Sequence, residues 1–206
     1  MIYLGGLCFI TDRKVSELSF EDMTRKVLMK GVHWIQFREK EKSRRKICEK
    51  AISLRRLTKN YDAVLIVNDF PDIAMCSGAD GVHLGQDDLP LKEARKIMGR
   101  NRIIGISTHS LEQATVAEKD GADYIGFGPI FPTLTKDAGR PKGIDMLREV
   151  KRQVSIPVVA IGGINLGNIS SVLQTGIDAV AVASAILTGD IEENTSRFMD
   201  YLKDRE

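Results

Sequence analysis

The chain has 206 residues, 43% of them hydrophobic and 28% charged, a balance that suits one soluble globular domain and excludes a disordered or membrane-spanning chain. Thirty Lys and Arg against 28 Asp and Glu leave a formal net charge of +2, so no global field draws the protein to nucleic acid or to a membrane, and any anion affinity must be local. Three scattered cysteines, Cys8, Cys48 and Cys76, have neither CxxC nor Cys/His spacing, and no basic segment precedes the apolar stretch of residues 1–10. These features predict buried thiols in a reduced, cytoplasmic protein without structural zinc or an export signal.

Short apolar runs alternate with helical patterns along the chain. Residues 7–11 read as a strand, 20–30 as an amphipathic helix, 34–37 as a strand and 44–59 as a helix. The run 63–67 is a third strand, and a weaker helix over 71–77 opens at Pro71. Strands at 81–84, 103–106 and 124–127 then alternate with helices at 91–98, 111–119 and 144–154. A strand at 158–161, a helix within 165–175 interrupted by Gly167, a strand at 179–183 and a helix near 194–203 complete the order. Strict alternation implies parallel strands joined by crossover helices.

A Gly-X-Asp/His approach precedes every second strand, at Gly31-Val-His, Gly78-Ala-Asp, Gly121-Ala-Asp and Gly176-Ile-Asp, each glycine suiting the left-handed stop after a helix. Four quarters of two strand-helix units make a single (β/α)8 TIM barrel with short loops, spanning residues 1–206 as one α/β domain. A doubly wound open sheet is the competing architecture, but it gives no reason for the pattern to persist to the end of the chain.

In such a barrel the site lies at the C-terminal ends of the strands. In the segment 34–40, the strand period of two places Gln36, Arg38 and Lys40 on one face and Ile35, Phe37 and Glu39 on the other. Two cations and an amide form an anion clamp suited to phosphate oxygens; the alternative is an edge strand with a solvated polar face. Asn68 and Asp69 follow the unbroken apolar run 63–67. Asp69 and one of Asp87 or Asp88 come from adjacent strand ends, where both can approach a hard cation such as Mg2+; otherwise Asp69 pairs with Arg38. The three histidines share no ligand spacing: His33 is expected at the barrel bottom and His83 as a hydrogen-bonded interior residue.

Gly162-Gly163 after the seventh strand and Ala183-Ser184 after the eighth occupy the places where barrels frequently bind a phosphate through backbone N–H groups. The sixth loop, residues 132–143, carries Thr133, Thr135 and Lys136 among Gly and Pro, the composition of a loop that orders over ligand, with Lys136 able to reach a diphosphate. Two anion subsites on opposite sides of one mouth, with few proton-transfer groups between them, suit reaction of two phosphorylated molecules or of one bisphosphate.

The motifs Gln36-Phe-Arg-Glu-Lys40, Val67-Asn-Asp69, Gly81-Val-His-Leu-Gly-Gln-Asp-Asp88, Gly105-Ile-Ser-Thr-His109, Gly128-Pro-Ile-Phe-Pro-Thr-Leu-Thr-Lys136 and Ala160-Ile-Gly-Gly-Ile164 resemble the thiamine phosphate synthase family, over residues 3–187. The resemblance implies an Mg2+-dependent transferase of thiamine biosynthesis that couples 4-amino-5-hydroxymethyl-2-methylpyrimidine diphosphate with a thiazole phosphate and releases diphosphate. It implies that Gln36, Phe37, Arg38, Glu39, Lys40, Asn68, Ser107 and Lys136 serve the pyrimidine diphosphate, with Arg38, Ser107 and Lys136 closest to the chemistry. By the same resemblance Asp69 and Asp88 hold Mg2+, and Thr133, Leu134, Thr135, Gly163, Ala183 and Ser184 serve the thiazole phosphate. The partners are thus small phosphorylated molecules, with no nucleic acid, no membrane and no oligomeric state specified. Two alternatives stay open: a thiazole tautomerase of the same barrel family using His109, and a non-catalytic barrel that senses a phosphate ligand.

Overall fold

A computed structural model describes residues 4–133 and 139–203. Eight parallel strands close into a barrel in sequence order, β8 pairing with β1. The strands are β1 (Gly6–Ile10), β2 (Trp34–Phe37), β3 (Val64–Asn68), β4 (Gly81–Leu84), β5 (Ile103–Thr108), β6 (Tyr124–Phe127), β7 (Val158–Ile161) and β8 (Ala179–Val182). Around them run α1 (Phe20–Met29), α2 (Arg44–Lys59), α3 (Pro71–Ser77), α4 (Leu91–Met98), α5 (Leu111–Lys119), α6 (Gly143–Gln153), α7 (Ile169–Leu173), α8 (Ser184–Leu187) and α9 (Ile191–Lys203).

The two faces of each strand feed two cores. Cys8, Ile10, Trp34, Ile66, Ile103, Tyr124, Val159, Ala179 and Ala181 fill the barrel, while Phe9, Ile35, Phe37, Leu65, Val67, Ile104, Ile125 and Phe127 face the helices. The alternation is the period of two expressed on a surface buried on both sides. Inside, Trp34 meets Tyr124 edge-on with ring centroids 5.1 Å apart.

At the floor, all four repeat glycines adopt positive φ: 88° at Gly31, 70° at Gly78, 93° at Gly121 and 80° at Gly176. The aspartate two residues on then does the same job three times. Asp80 accepts from Leu65 N at 2.8 Å and pairs with Arg55 of α2 at 2.8 Å. Asp123 accepts from Ile104 N at 2.7 Å and pairs with Arg95 of α4 at 2.6 Å. Asp178 accepts from Val158 N at 2.7 Å and pairs with Lys151 of α6 at 2.6 Å. Each carboxylate therefore stitches a strand start to the preceding helix, and His33 stands in this place in the first quarter.

Four local expectations are corrected. The helix within 165–175 is confined to Ile169–Leu173, because Asn165 Oδ1 accepts from Gly167 N and Asn168 Oδ1 from Asn165 N, both at 2.8 Å, so side chains hold 165–168 in a turn. The last helix begins at Ile191 rather than near 194, since Asp190 Oδ1 accepts from Glu192 N at 2.8 Å and from Glu193 N at 3.0 Å and caps it. The one-turn α8 was not expected, being too short to show a helical period. Cys8 is buried as expected, but Cys48 is half-buried and Cys76 exposed, with their Sγ atoms 2.6 Å apart between α2 and α3.

Candidate functional site

The charged residues of the barrel gather at its C-terminal mouth in a mutually dependent order. Just after β1, Thr11 Oγ1 accepts from Arg38 N at 3.0 Å, fixing the backbone where β2 runs out. Arg38 then points to the next carboxylate: its Nη1 lies 3.7 Å from Asp12 Oδ2, with Asp12 only 5% exposed. Lys40, two residues further from the strand, reaches the other way and pairs with Asp69 Oδ2 at 2.9 Å. The alternative Asp69–Arg38 pair does not form; two pairs stand in its place, because β2 ends at Phe37 and the loop sends the two cations to opposite neighbours.

Asp69 itself is held in left-handed backbone at φ 68°, with its N–H donated to His83 O at 2.8 Å and its Oδ1 accepting from Asn68 Nδ2 at 2.5 Å. Across β4, Asp88 is half-buried and accepts from Gly85 N through Oδ2 at 2.6 Å. Burial pushes its carboxyl above the ordinary range, and the neighbouring Asp69 carboxylate pushes the same way, against the Gly85 N–H and Lys40. Of the two aspartates left open by spacing, Asp88 thus faces Asp69, while Asp87 is exposed.

Gln36 lies inside the barrel at 5% exposure. Ser107, at the end of β5, meets His83 Nε2 through its Oγ at 2.8 Å, and its carbonyl accepts from Gln86 Nε2 at 2.6 Å. His83 is the interior, hydrogen-bonded histidine expected, its Nδ1 lying 2.9 Å from the Tyr124 hydroxyl. His109 has its backbone N–H donated to Gln113 and its Nδ1 2.6 Å from Gly128 O.

On the far side, a cavity of about 80 Å³ is lined by Asp12, Arg38, Thr133, Gly162, Gly163, Ala183 and Ser184 among others. Gly163 is compelled to be glycine: φ is 67°, and a β-carbon there would lie 2.5 Å from Pro132 O. Larger cavities occur between α4 and α5 and at the floor around Arg55 and Asp80, about 430 and 600 Å³, but neither adjoins both carboxylates and the clamp.

Two residues of the pyrimidine set contribute no side chain to the mouth. Phe37 is turned outward by the strand alternation and packs edge-on against Phe20 at 5.0 Å, 1% exposed. Glu39 lines the groove between α1 and α2 with Phe20 and Lys50, and its Oε1 accepts from Glu41 N at 2.6 Å. Leu134, Thr135 and Lys136 lie outside the described residues. Tyr124 was overlooked in the sequence because it reads as core; the only signal for it is a polar end on an otherwise apolar interior stripe. Among the described residues, no three His, Cys, Asp or Glu cluster as metal ligands, so any cation would rest on the two carboxylates and on ligand oxygens.

Fold and mouth together define a (β/α)8 barrel that gathers cations, paired carboxylates and a glycine-lined anion cavity at its strand ends, the class built to handle phosphorylated small molecules. Within that class the chain belongs to the thiamine monophosphate synthase family, whose model matches residues 7–186. It is 47% identical over 189 residues to the thiamine-phosphate synthase of Halalkalibacterium halodurans, covering 91% of this chain and 90% of that one. Identity to the enzyme of the same name from Chloroflexus aurantiacus is 46%, over 89% of this chain and 86% of that one. A solved thiamine phosphate pyrophosphorylase from Pyrococcus furiosus superposes with a TM-score of 0.90 at 42% identity, covering 97% of this chain and 96% of that one.

Proposed function

We propose that this chain joins 4-amino-5-hydroxymethyl-2-methylpyrimidine diphosphate to a thiazole phosphate, giving thiamine phosphate and diphosphate. The observation that carries the reading is the split mouth. Lys40, Asn68, Asp69 and Asp88 lie on one side and the glycine-lined cavity on the other, with Arg38 bordering that cavity between them, so two phosphorylated ligands can face each other across the mouth.

Binding of the diphosphate is an exchange of counter-charge. Arg38 leaves a long 3.7 Å pairing with Asp12 and Lys40 leaves Asp69, and both cations turn to the incoming oxygens with their donors already in place. Lys136, from the sixth loop, adds a third cation to the same oxygens. Asp69 and Asp88 fit a hard divalent cation, because the like-charge pressure on Asp88 is what such an ion relieves. They would hold Mg2+, which when bound neutralises charge on the departing diphosphate.

Thr133, Gly163, Ala183 and Ser184 hold the thiazole phosphate, aiming the ring nitrogen at the pyrimidine methylene carbon. The carbon–oxygen bond to diphosphate breaks first, leaving a cation spread over the aminopyrimidine, and the thiazole nitrogen lone pair closes the new carbon–nitrogen bond. Arg38 and Lys40 keep the leaving group in place while this happens, and the half-buried Ser107 contacts the pyrimidine.

The test is diphosphate release by the purified chain with each substrate alone, with both, and with or without Mg2+. Release that needs both substrates and Mg2+, matched by thiamine phosphate, is expected. No release under any combination overturns the reading and turns attention to tautomerase activity at His109.

A further inference from the structure

The barrel interior holds a run of hydrogen bonds that the roles above leave unused. The Tyr124 hydroxyl on β6, in a side chain only 1% exposed, lies 2.9 Å from His83 Nδ1 on β4, and His83 Nε2 lies 2.8 Å from Ser107 Oγ on β5. Three strands thus meet in one line that starts in the apolar interior and ends at a residue of the mouth.

The backbone is cleared for both rings. A β-carbon on Gly105 would sit 2.0 Å from the Tyr124 ring, and one on Gly126 would sit 3.1 Å from His83 Cε1. His83 and Tyr124 lie with centroids 5.4 Å apart and planes 31° from each other, and Trp34 closes the remaining side of Tyr124.

The chemistry of the groups gives the line a direction. Burial keeps the Tyr124 phenol neutral, its ionisation pushed well above the ordinary value. A phenol O–H is a stronger donor than an imidazole N–H and an imidazole nitrogen a stronger acceptor than a phenol oxygen, which favours the Tyr124 hydrogen on the bond to His83 Nδ1 and the imidazole's own hydrogen on Nε2. That hydrogen is donated to Ser107 Oγ, and a hydroxyl whose oxygen already accepts presents its hydrogen elsewhere. We propose that Tyr124 is a positioning residue which, through the Nε2–H tautomer of His83, fixes Ser107 as a hydrogen-bond donor toward an acceptor nitrogen of the bound pyrimidine ring. The identity of that ring rests on the synthase reading; the relay itself does not.

Two measurements test it. Imidazole 15N resonances of the ligand-free wild-type protein, assigned to His83 by loss in His83→Asn, are expected to show a protonated Nε2 and a bare Nδ1; a protonated Nδ1 overturns the relay whether or not the protein proves to be a synthase. In kinetics, Tyr124→Phe is expected to raise KM for the pyrimidine diphosphate about 5- to 30-fold, the loss of one or two hydrogen bonds, with KM for the thiazole phosphate unchanged. Ser107→Ala should do the same, and the double variant should be no worse than Ser107→Ala alone. Additive losses, or equal increases in both KM values, overturn the role for Tyr124. A wild type with the expected tautomer and no diphosphate release would instead reject the synthase reading and leave the relay standing.

Discussion

The two ends of the barrel use the same ingredients differently. At the floor, Asp80, Asp123 and Asp178 each accept from a strand N–H at 2.7 to 2.8 Å and meet a cation at 2.6 to 2.8 Å. At the mouth, Arg38 and Asp12 stand 3.7 Å apart, and Asp88 shares its surroundings with Asp69 rather than with a dedicated cation. Charges at the floor each have a close partner within the protein, so they hold strands to helices. Those at the mouth are matched unevenly, Lys40 and Asp69 closely at 2.9 Å but Arg38 and Asp12 loosely, so on the proposed function a ligand would displace the Arg38 partner at least cost. The contrast separates residues that stabilise from residues that act, although all are Asp, Arg or Lys.

Substitutions at the two ends should therefore fail in different assays. The largest effect is expected from Arg38→Ala, which should lower the rate of diphosphate release by about 100- to 1,000-fold while thermal unfolding moves by no more than about 2 °C. A melt that falls with the activity would make Arg38 a floor-type residue. Asp80→Ala should do the reverse, costing about 2–4 kcal/mol in chemical denaturation because it leaves Arg55 and Leu65 N–H without their acceptor, with kcat unchanged. Loss of kcat there would join the floor to the chemistry.

Asp88→Asn sharpens the comparison within one residue. A carboxyl raised in the folded protein favours its protonated form, so its contribution to stability is present at acid pH and is lost as pH rises through the folded value. The amide keeps the acceptor for Gly85 N–H and removes the charge. At pH 7 the variant should melt about 1–3 °C higher than the wild type and turn over more slowly; a lower melting temperature would mean that Asp88 is satisfied as it stands. The smallest effect is expected from Ser184→Ala, with KM for the thiazole phosphate within about threefold if the phosphate is held by backbone N–H groups. A larger rise would assign the hydroxyl.

The architecture was legible because the relevant signals are short-range. Alternation of apolar runs with amphipathic segments, and a glycine before every second strand, are written in consecutive residues and survive folding unchanged. The same repeat carried an unread message, since its aspartates bind cations 25 to 28 residues back in the chain. The mouth was legible as a set of positions but not as partnerships. Whether Arg38 meets Asp12 or Asp69 depends on where β2 stops, and that boundary is set by pairing with its neighbours, not by residues 34–40 themselves. Phe37 shows the two kinds of signal diverging: strand alternation turns its side chain outward onto Phe20, so any part it has at the mouth would be through its backbone. The Tyr124–His83–Ser107 line joins three strands at separations of 41 and 24 residues, beyond any local pattern.

Asp69 is a residue with a β-carbon in left-handed backbone, at φ 68°, where glycine would sit more easily by about 1–2 kcal/mol. The position therefore answers to two masters. A screen that rewards folding alone should drift toward glycine there, or toward asparagine, which tolerates the same torsion without the charge. A screen that rewards turnover should hold the carboxylate against that drift. On the proposed function, one dihedral angle would then record a choice between folding and turnover.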